Sequence, residues 1–191
     1  EVIDKFGADT FRYYMIGGAA PGLDINYNQD DVGLCYRNLG VLWNLVQYFI
    51  DQIETTGLKP GTVKKEKLAL EDRYILAKLQ ETVAKTTTAF EAYNINEIPH
   101  IVEGLFLEIS RTYVQQIRER AAWGSDAEKQ TIVDVLCKVI SETLVLFAPI
   151  APFITEELYQ QLRKRVGLAA ESVHHCSWPV VEKRFVDEKL L

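Results

Sequence analysis

The sequence predicts an all-α protein, a helical bundle preceded by a short junction with one small strand. Three observations carry this. Nearly every long segment spaces its apolar residues three and four apart, while strand-type alternation is confined to a few positions. Most glycines and prolines punctuate these segments from outside. Hydrophobic residues make up 48% of the 191 residues and charged residues 25%, a balance that supports a packed core.

Taken in order, Val2 to Ile16 reads as a first helix stopped by Gly17-Gly18 and Pro21-Gly22. Leu23 to Tyr27 alternates apolar and polar residues and is the candidate strand. Asn28 or Asp30 is placed to cap a long second helix, whose apolar seam runs Val32, Tyr36, Leu39, Trp43, Val46, Ile50, Ile53. Thr55 to Lys67, with Gly57, Pro60 and Gly61 among lysines, reads as a solvated linker and a boundary. A third helix spans about Leu70 to Tyr93 and a fourth Glu97 to Ala122, built on Val102, Phe106, Ile109, Tyr113 and Ile117. Gly124-Ser125-Asp126 ends it and caps a fifth, Ala127 to Ala148, apolar over most of its circumference and so expected at the bundle centre. Pro149 stops that helix, and Pro152 opens a sixth that closes at Gly167. Ser172 to Cys176 is expected as a short strand or an extended arm.

Composition excludes several classes of function. No apolar stretch approaches the ~20 residues of a membrane span, and no basic stretch of a signal peptide opens the sequence. A formal net charge of −6 argues against nucleic-acid binding by bulk electrostatics, so any phosphate contact must come from a local basic stripe. Cys35, Cys137 and Cys176 are odd in number and far apart, which fits reduced thiols in the cytoplasm.

Motifs for catalysis are lacking: there is neither a phosphate loop of the G-x-x-x-x-G-K-[ST] kind nor a G-x-G-x-x-G turn. His174, His175 and Cys176 resemble half a zinc site, but tetrahedral zinc needs four ligands, so ordinary packing is the preferred account. Glu156-Glu157 and Arg163-Lys164-Arg165 occupy the first and last turns of the sixth helix, where the helix dipole explains them. The fourth helix is more informative. Arg111, Gln115 and Arg118 project as one polar stripe away from Ile109 and Tyr113, and Arg120 and Trp123 follow at the helix end. Guanidinium forks pair with phosphate and an indole stacks on an unpaired base, so the stripe suits RNA. It equally suits a solvated face partly neutralised by Glu108 and Glu119. The residues alone leave both open.

Motif order adds to this. Glu1-Val2-Ile3-Asp4-Lys5-Phe6-Gly7-Ala8-Asp9-Thr10-Phe11-Arg12 resembles the E-x-I-x-x-[YF]-G-A-D-x-[LF]-R stretch of class Ia aminoacyl-tRNA synthetases, the isoleucyl, valyl and leucyl group. Leu42-Trp43-Asn44, Glu71-Asp72-Arg73-Tyr74-Ile75-Leu76 and the run Ser110 to Arg120 follow in the family's order. Ala148-Pro149-Ile150-Ala151-Pro152 through Tyr159 resembles its L-x-A-P-x-x-P-x-x-[AST]-E-E-[LI]-[YW], and Ser172-Val173-His174 with Trp178-Pro179 its closing S-V-H-x-x-x-W-P. The sequence departs where Tyr74 and Thr112 replace a usual Trp and Pro21-Gly22 a usual Pro-Trp. Within the group the similarity is greatest to isoleucyl enzymes, then valyl, then leucyl.

The resemblance implies a stem-contact junction over residues 1–57, a helical anticodon-binding domain over 68–170 and a C-terminal arm over 171–191. It implies tRNA as partner, contacted by Arg111, Gln115, Arg118, Arg120, Trp123, Arg37, Asn44, Arg163 and Lys164. No catalytic residue, metal or cofactor is expected in this segment. ATP and Mg would serve a catalytic domain of the same polypeptide, whose H-I-G-H and K-M-S-K-S motifs do not occur here. The competing expectation from another class is a helical protein-interaction scaffold with scattered basic and aromatic positions.

Overall fold

The computed structural model describes all of residues 1–191, and it is helical throughout, with no β-strand. Its α-helices are α1 (Val2–Phe6), α2 (Ala8–Gly17), α3 (Gln29–Thr56), α4 (Leu70–Glu91), α5 (Ile98–Glu108), α6 (Val114–Trp123), α7 (Asp126–Phe147) and α8 (Pro152–Val166). The predicted end signals act as expected at several of them. Asn28 Oδ1 accepts from the Asp30 amide at 2.9 Å. Ser125 and Glu128 form a reciprocal box, the Ser125 amide donating to Glu128 at 2.8 Å and the Glu128 amide to Ser125 Oγ at 3.4 Å. Pro152 sits in the first turn of α8, and Gly167 closes it in the left-handed region at φ 74°, which costs glycine nothing.

Four expectations need correction. The first helix is two, because Gly7 at φ 84° breaks the run between α1 and α2. Leu23 to Tyr27 is not a strand: no neighbouring strand offers a ladder, and Tyr14 Oη instead donates to Asn26 O and accepts from Asn28 N, both at 2.9 Å. Ser172 to Cys176 is neither strand nor extended arm but a 3₁₀ turn, Val173–His175, whose start Ser172 Oγ caps at 3.1 Å. Within the second helix, Tyr36 and Trp43 leave the seam and are exposed at 53% and 37%, while Leu42, Leu45 and Phe49 are buried in their place.

One hydrophobic core runs from Tyr13 to Phe185 and includes Leu42, Phe49, Phe106, Ile140 and Phe147. It draws α3 into the bundle. α7 packs on α3, α4, α5, α6 and α8, which is the central position its apolar circumference predicts.

Two features position the polar face described below. First, α3 and the α5–α6 rod run in the same direction. Asn38 Nδ2 donates to Glu103 at 2.6 Å near one end, and Tyr48 and Gln52 share a cleft with Arg118 towards the other. Second, α5 passes into α6 through a π turn, Ile109–Tyr113, which accommodates an extra residue. Ile109, Tyr113 and Ile117 all remain fully buried across it.

Candidate nucleic-acid interface

Arg111 lies in the π turn and Gln115 and Arg118 in α6; all three are exposed, and none of their side chains has a hydrogen-bonding or ionic partner in the protein. Glu108, expected to neutralise them, is turned to α4, where it accepts from Tyr74 Oη at 2.9 Å. Trp123, in the last turn of α6, is 88% exposed, more than any other large hydrophobic side chain. An indole left in water is a ready stacking platform.

Arg120 is placed otherwise, engaged with carboxylates of the protein. Its guanidinium forks onto Asp72 at 2.7 and 3.0 Å and also reaches Glu71 at 2.9 Å, with only 19% of the side chain exposed. Asp72 is itself fully buried and accepts from Tyr113 Oη at 2.8 Å and from the Ala69 amide at 2.9 Å. Burial pushes the Tyr113 phenol well up, and the Asp72 charge beside it pushes it further. Burial works against the charged form of Arg120, but Asp72 and Glu71 outweigh it and hold the guanidinium protonated. Every donor directed at a carboxylate here is unavailable to a phosphate.

Arg37 and Asn44 lie two turns apart on α3, exposed and free of protein partners. Arg37 borders a cleft with Phe153, Ile154 and Glu157 of α8. Arg163 and Lys164 stand at the end of another helix, α8. Lys164 is exposed, whereas Arg163 is half-buried, with its Nε enclosed and unpaired. Their neighbour Arg165 is engaged with Glu54 at 2.8 Å.

The structure also adds residues that pattern did not single out. Tyr48, Gln52, Thr55, Asp126 and Lys129 join Arg118 around a cleft of ≈ 510 Å³ between the end of α3, the end of α6 and the start of α7. Tyr48 is half-buried; burial raises its pKa and the nearby Arg118 charge opposes that rise. Tyr48 falls one turn after Asn44, the one sequence signal that could have found it. Elsewhere, no group of three His, Cys, Asp or Glu side chains is close enough to hold a metal ion, and Cys176 Sγ is directed at Ser172 O, 3.7 Å away. No helix is long and apolar enough to cross a membrane.

Residues 72–191 match the family described as the anticodon-binding domain of tRNA ligase. Over its whole length the chain is 34% identical to an isoleucine–tRNA ligase of Methanosarcina barkeri, covering 19% of that protein, and 35% identical to that of Methanopyrus kandleri, covering 18%. The chain thus spans about a fifth of the length of these relatives. Among solved structures it resembles the Agrobacterium radiobacter LeuRS in a ternary complex with tRNA and LeuAMS, with a TM-score of 0.73 at 21% identity, over 97% of this chain and 21% of that one. It also resembles the free-state Mycobacterium tuberculosis methionyl-tRNA synthetase, with a TM-score of 0.70 at 18% identity, over 90% of this chain and 37% of that one.

Proposed function

The chain belongs to the anticodon-binding domain family of tRNA ligases, and on that premise we propose that α3 and the π turn–α6 segment together hold the anticodon arm of a tRNA. The observation that carries this is a set of exposed groups without partners in the protein: Arg111, Gln115 and Arg118 along the π turn–α6 segment, Trp123 at its end, and Arg37 and Asn44 on α3. Folding leaves these donors unused, although it pairs Arg120, Arg73, Lys138 and Arg165 with carboxylates. A free guanidinium fork matches a phosphate in two bonds and an exposed indole offers a sequence-tolerant stacking surface.

In this reading the parent enzyme is an isoleucine–tRNA ligase of the cytoplasm. Its catalytic domain uses ATP and Mg, and residues 1–57 form the junction towards the tRNA stem. Lys164, and Arg163 if its half-buried head turns outward, extend the contact at the end of α8. The binding free energy obtained here serves orientation, since fixing the tRNA at one end limits where its acceptor end can lie.

Titration of the chain with tRNA between 50 and 300 mM salt tests this. With three or four phosphates neutralised, the log–log slope should be about −2 to −4. A salt-insensitive affinity, or equal affinity for heparin and tRNA, would overturn the proposal in favour of a scaffold or a non-specific polyanion site.

A further inference from the structure

The turn between α7 and α8 is held by side chains from a distant part of the chain. Helix α8 opens on Ala151, whose methyl group cannot cap it, and on Pro152, which has no N–H. The next two amides, of Phe153 and Ile154, donate instead to the Asp9 carboxylate of α2 at 3.4 and 2.6 Å. One turn later on α2, Arg12 donates from Nε to the Ile150 carbonyl at 3.1 Å and from Nη2 to the Pro149 carbonyl at 2.9 Å. A carboxylate at the start of one helix and a guanidinium past the end of the other both suit the helix dipoles. Two side chains three residues apart thus grip both sides of a turn that lies 137 or more residues further along the chain.

This grip is confined to α2. Asp9, Thr10, Tyr13 and Tyr14 of that helix are all buried, and Tyr13 meets Phe147 of α7 edge-on at 5.3 Å. Helix α1, by contrast, buries no residue and leans on α3 through Phe6, edge-on to Tyr36 at 5.7 Å. Between the two helices stands Gly7 at φ 84° and ψ 161°, a backbone conformation open in practice to glycine alone. A Cβ on Gly7 would meet nothing within 4 Å. Crowding therefore does not call for glycine here; the direction of the backbone does.

We propose that Asp9 and Arg12 are positioning residues for the transfer of the amino acid to tRNA, and that with Gly7 they set the angle between the bundle and the catalytic domain. The inference rests on the RNA face proposed above. In that reading the bundle holds one end of the tRNA, while the reacting end lies in a domain joined to the bundle through the junction. There a ribose hydroxyl displaces AMP from the aminoacyl adenylate, forming the ester and giving up its proton. Helix α2 is bonded to the α7–α8 turn on both sides and so belongs to the bundle, whereas α1 takes its direction from Gly7. An error of angle at this joint grows with distance, and a misplacement of about 1 Å at the reacting atoms can cost on the order of 10²-fold in rate. Apolar contact alone would hold the helices together without fixing their direction; charge-assisted bonds to particular backbone groups fix it. Asp9 and Arg12 act at the joint and touch neither the reacting atoms nor the anticodon arm.

The test uses the full-length ligase carrying Asp9→Ala, Asp9→Asn, Arg12→Gln or Gly7→Ala. Each variant is read for isoleucine-dependent ATP–pyrophosphate exchange, for the Kd of tRNA, and for single-turnover transfer of the activated amino acid to tRNA. Asp9→Ala and Arg12→Gln should slow transfer about tenfold or more, while exchange and the tRNA Kd stay within about twofold of the wild type. Asp9→Asn, which keeps one acceptor oxygen, should recover part of the loss. Gly7→Ala leaves the Asp9–Arg12 grip intact and disturbs no core residue of α1, so it should slow transfer with little change in melting. If transfer is unchanged throughout, or falls only where melting falls and not in Gly7→Ala, the residues are merely structural and the proposal is overturned. A loss carried by the tRNA Kd, or shared equally by exchange, overturns it as well and leaves the RNA face standing. If the wild-type ligase binds no tRNA, the RNA face fails and the positioning role fails with it.

Discussion

Arg120 and Asp72 form a two-pronged ion pair, 2.7 and 3.0 Å, between the last turns of α6 and the first turn of α4, and Asp72 has no exposed surface at all. Tyr113 and the Ala69 amide complete the shell around the carboxylate. The pair fixes the end of α6, where Arg118 and Trp123 project, against the body of the bundle.

Removing one partner should therefore be costly. Arg120→Ala leaves a buried carboxylate short of its counter-charge, and a loss of about 3–5 kcal/mol is expected from denaturant unfolding. Arg120→Lys should recover only part of it, because an ammonium cannot span both carboxylate oxygens. A loss under about 1 kcal/mol for Arg120→Ala would mean that the pair is solvated and does not brace α6.

Arg118→Ala should behave in the opposite way. The side chain has no partner to lose, so stability should change by less than about 0.5 kcal/mol. The affinity for tRNA should fall by roughly 1–3 kcal/mol, the scale of a charge-assisted contact. Melting and binding are measured on the same preparation. An undiminished affinity in a folded variant removes Arg118 from the interface.

Gly124 lies where α6 gives way to α7, and a Cβ there would stand 2.4 Å from the Arg120 carbonyl oxygen. Backbone has to move to admit it. Gly124→Ala should cost about 1–3 kcal/mol, the range for forced overpacking, and should lower tRNA affinity as well by shifting Trp123. Unchanged melting would show that the α6–α7 junction has slack.

Glu156 gives a pH signature. Burial acts to raise its pKa, but bonds from Gln160, the Val173 amide and Ser172 outweigh it and hold the carboxyl below its usual 4.5. A lowered carboxyl adds stability that is present above the unfolded value and lost as pH falls through the folded one. Glu156→Gln should accordingly be less stable than the wild type at pH 6, and the difference should shrink below pH 4.5 as the wild-type carboxyl protonates. Thermal melts of both proteins from pH 6 to 3 check this; a constant gap would assign the effect to packing.

Most of the helical frame was legible because its signals are local. Asn28, Ser125 with Glu128, Pro152 and Gly167 mark helix ends through bonds or dihedrals within a turn of themselves. What escaped depends on distance. The apolar spacing of Tyr36 and Trp43 fits the core seam, yet both border a cleft shared with Phe6 and Phe153, which come from other parts of the chain. Arg120 reads as one more cation at a helix end until its partner, 48 residues earlier, is brought alongside. Of the proposed site, residue type and spacing marked Arg111, Gln115 and Arg118, whereas the π turn that sets where Arg118 points, and Asp126 and Lys129 across the α6–α7 turn, left no local signal. Leu23 to Tyr27 failed because alternation specifies a strand only where a second strand exists to receive it.

The π turn at Ile109–Tyr113 makes the domain sensitive to residue number rather than residue type. Each residue advances an α-helix by about 100°, so one residue taken up in the wide turn offsets everything after it by about that angle. On an uninterrupted wheel Val114 would point to solvent and Arg118 would swing away from α3; with the offset Val114 is buried and Arg118 borders the α3 cleft. Substitutions between Ile109 and Tyr113 change single contacts, but deleting one residue there would rotate the whole downstream rod, Trp123 included, as a rigid dial. Gene-length variation should therefore be tolerated in the 55–67 linker and rejected in this five-residue window.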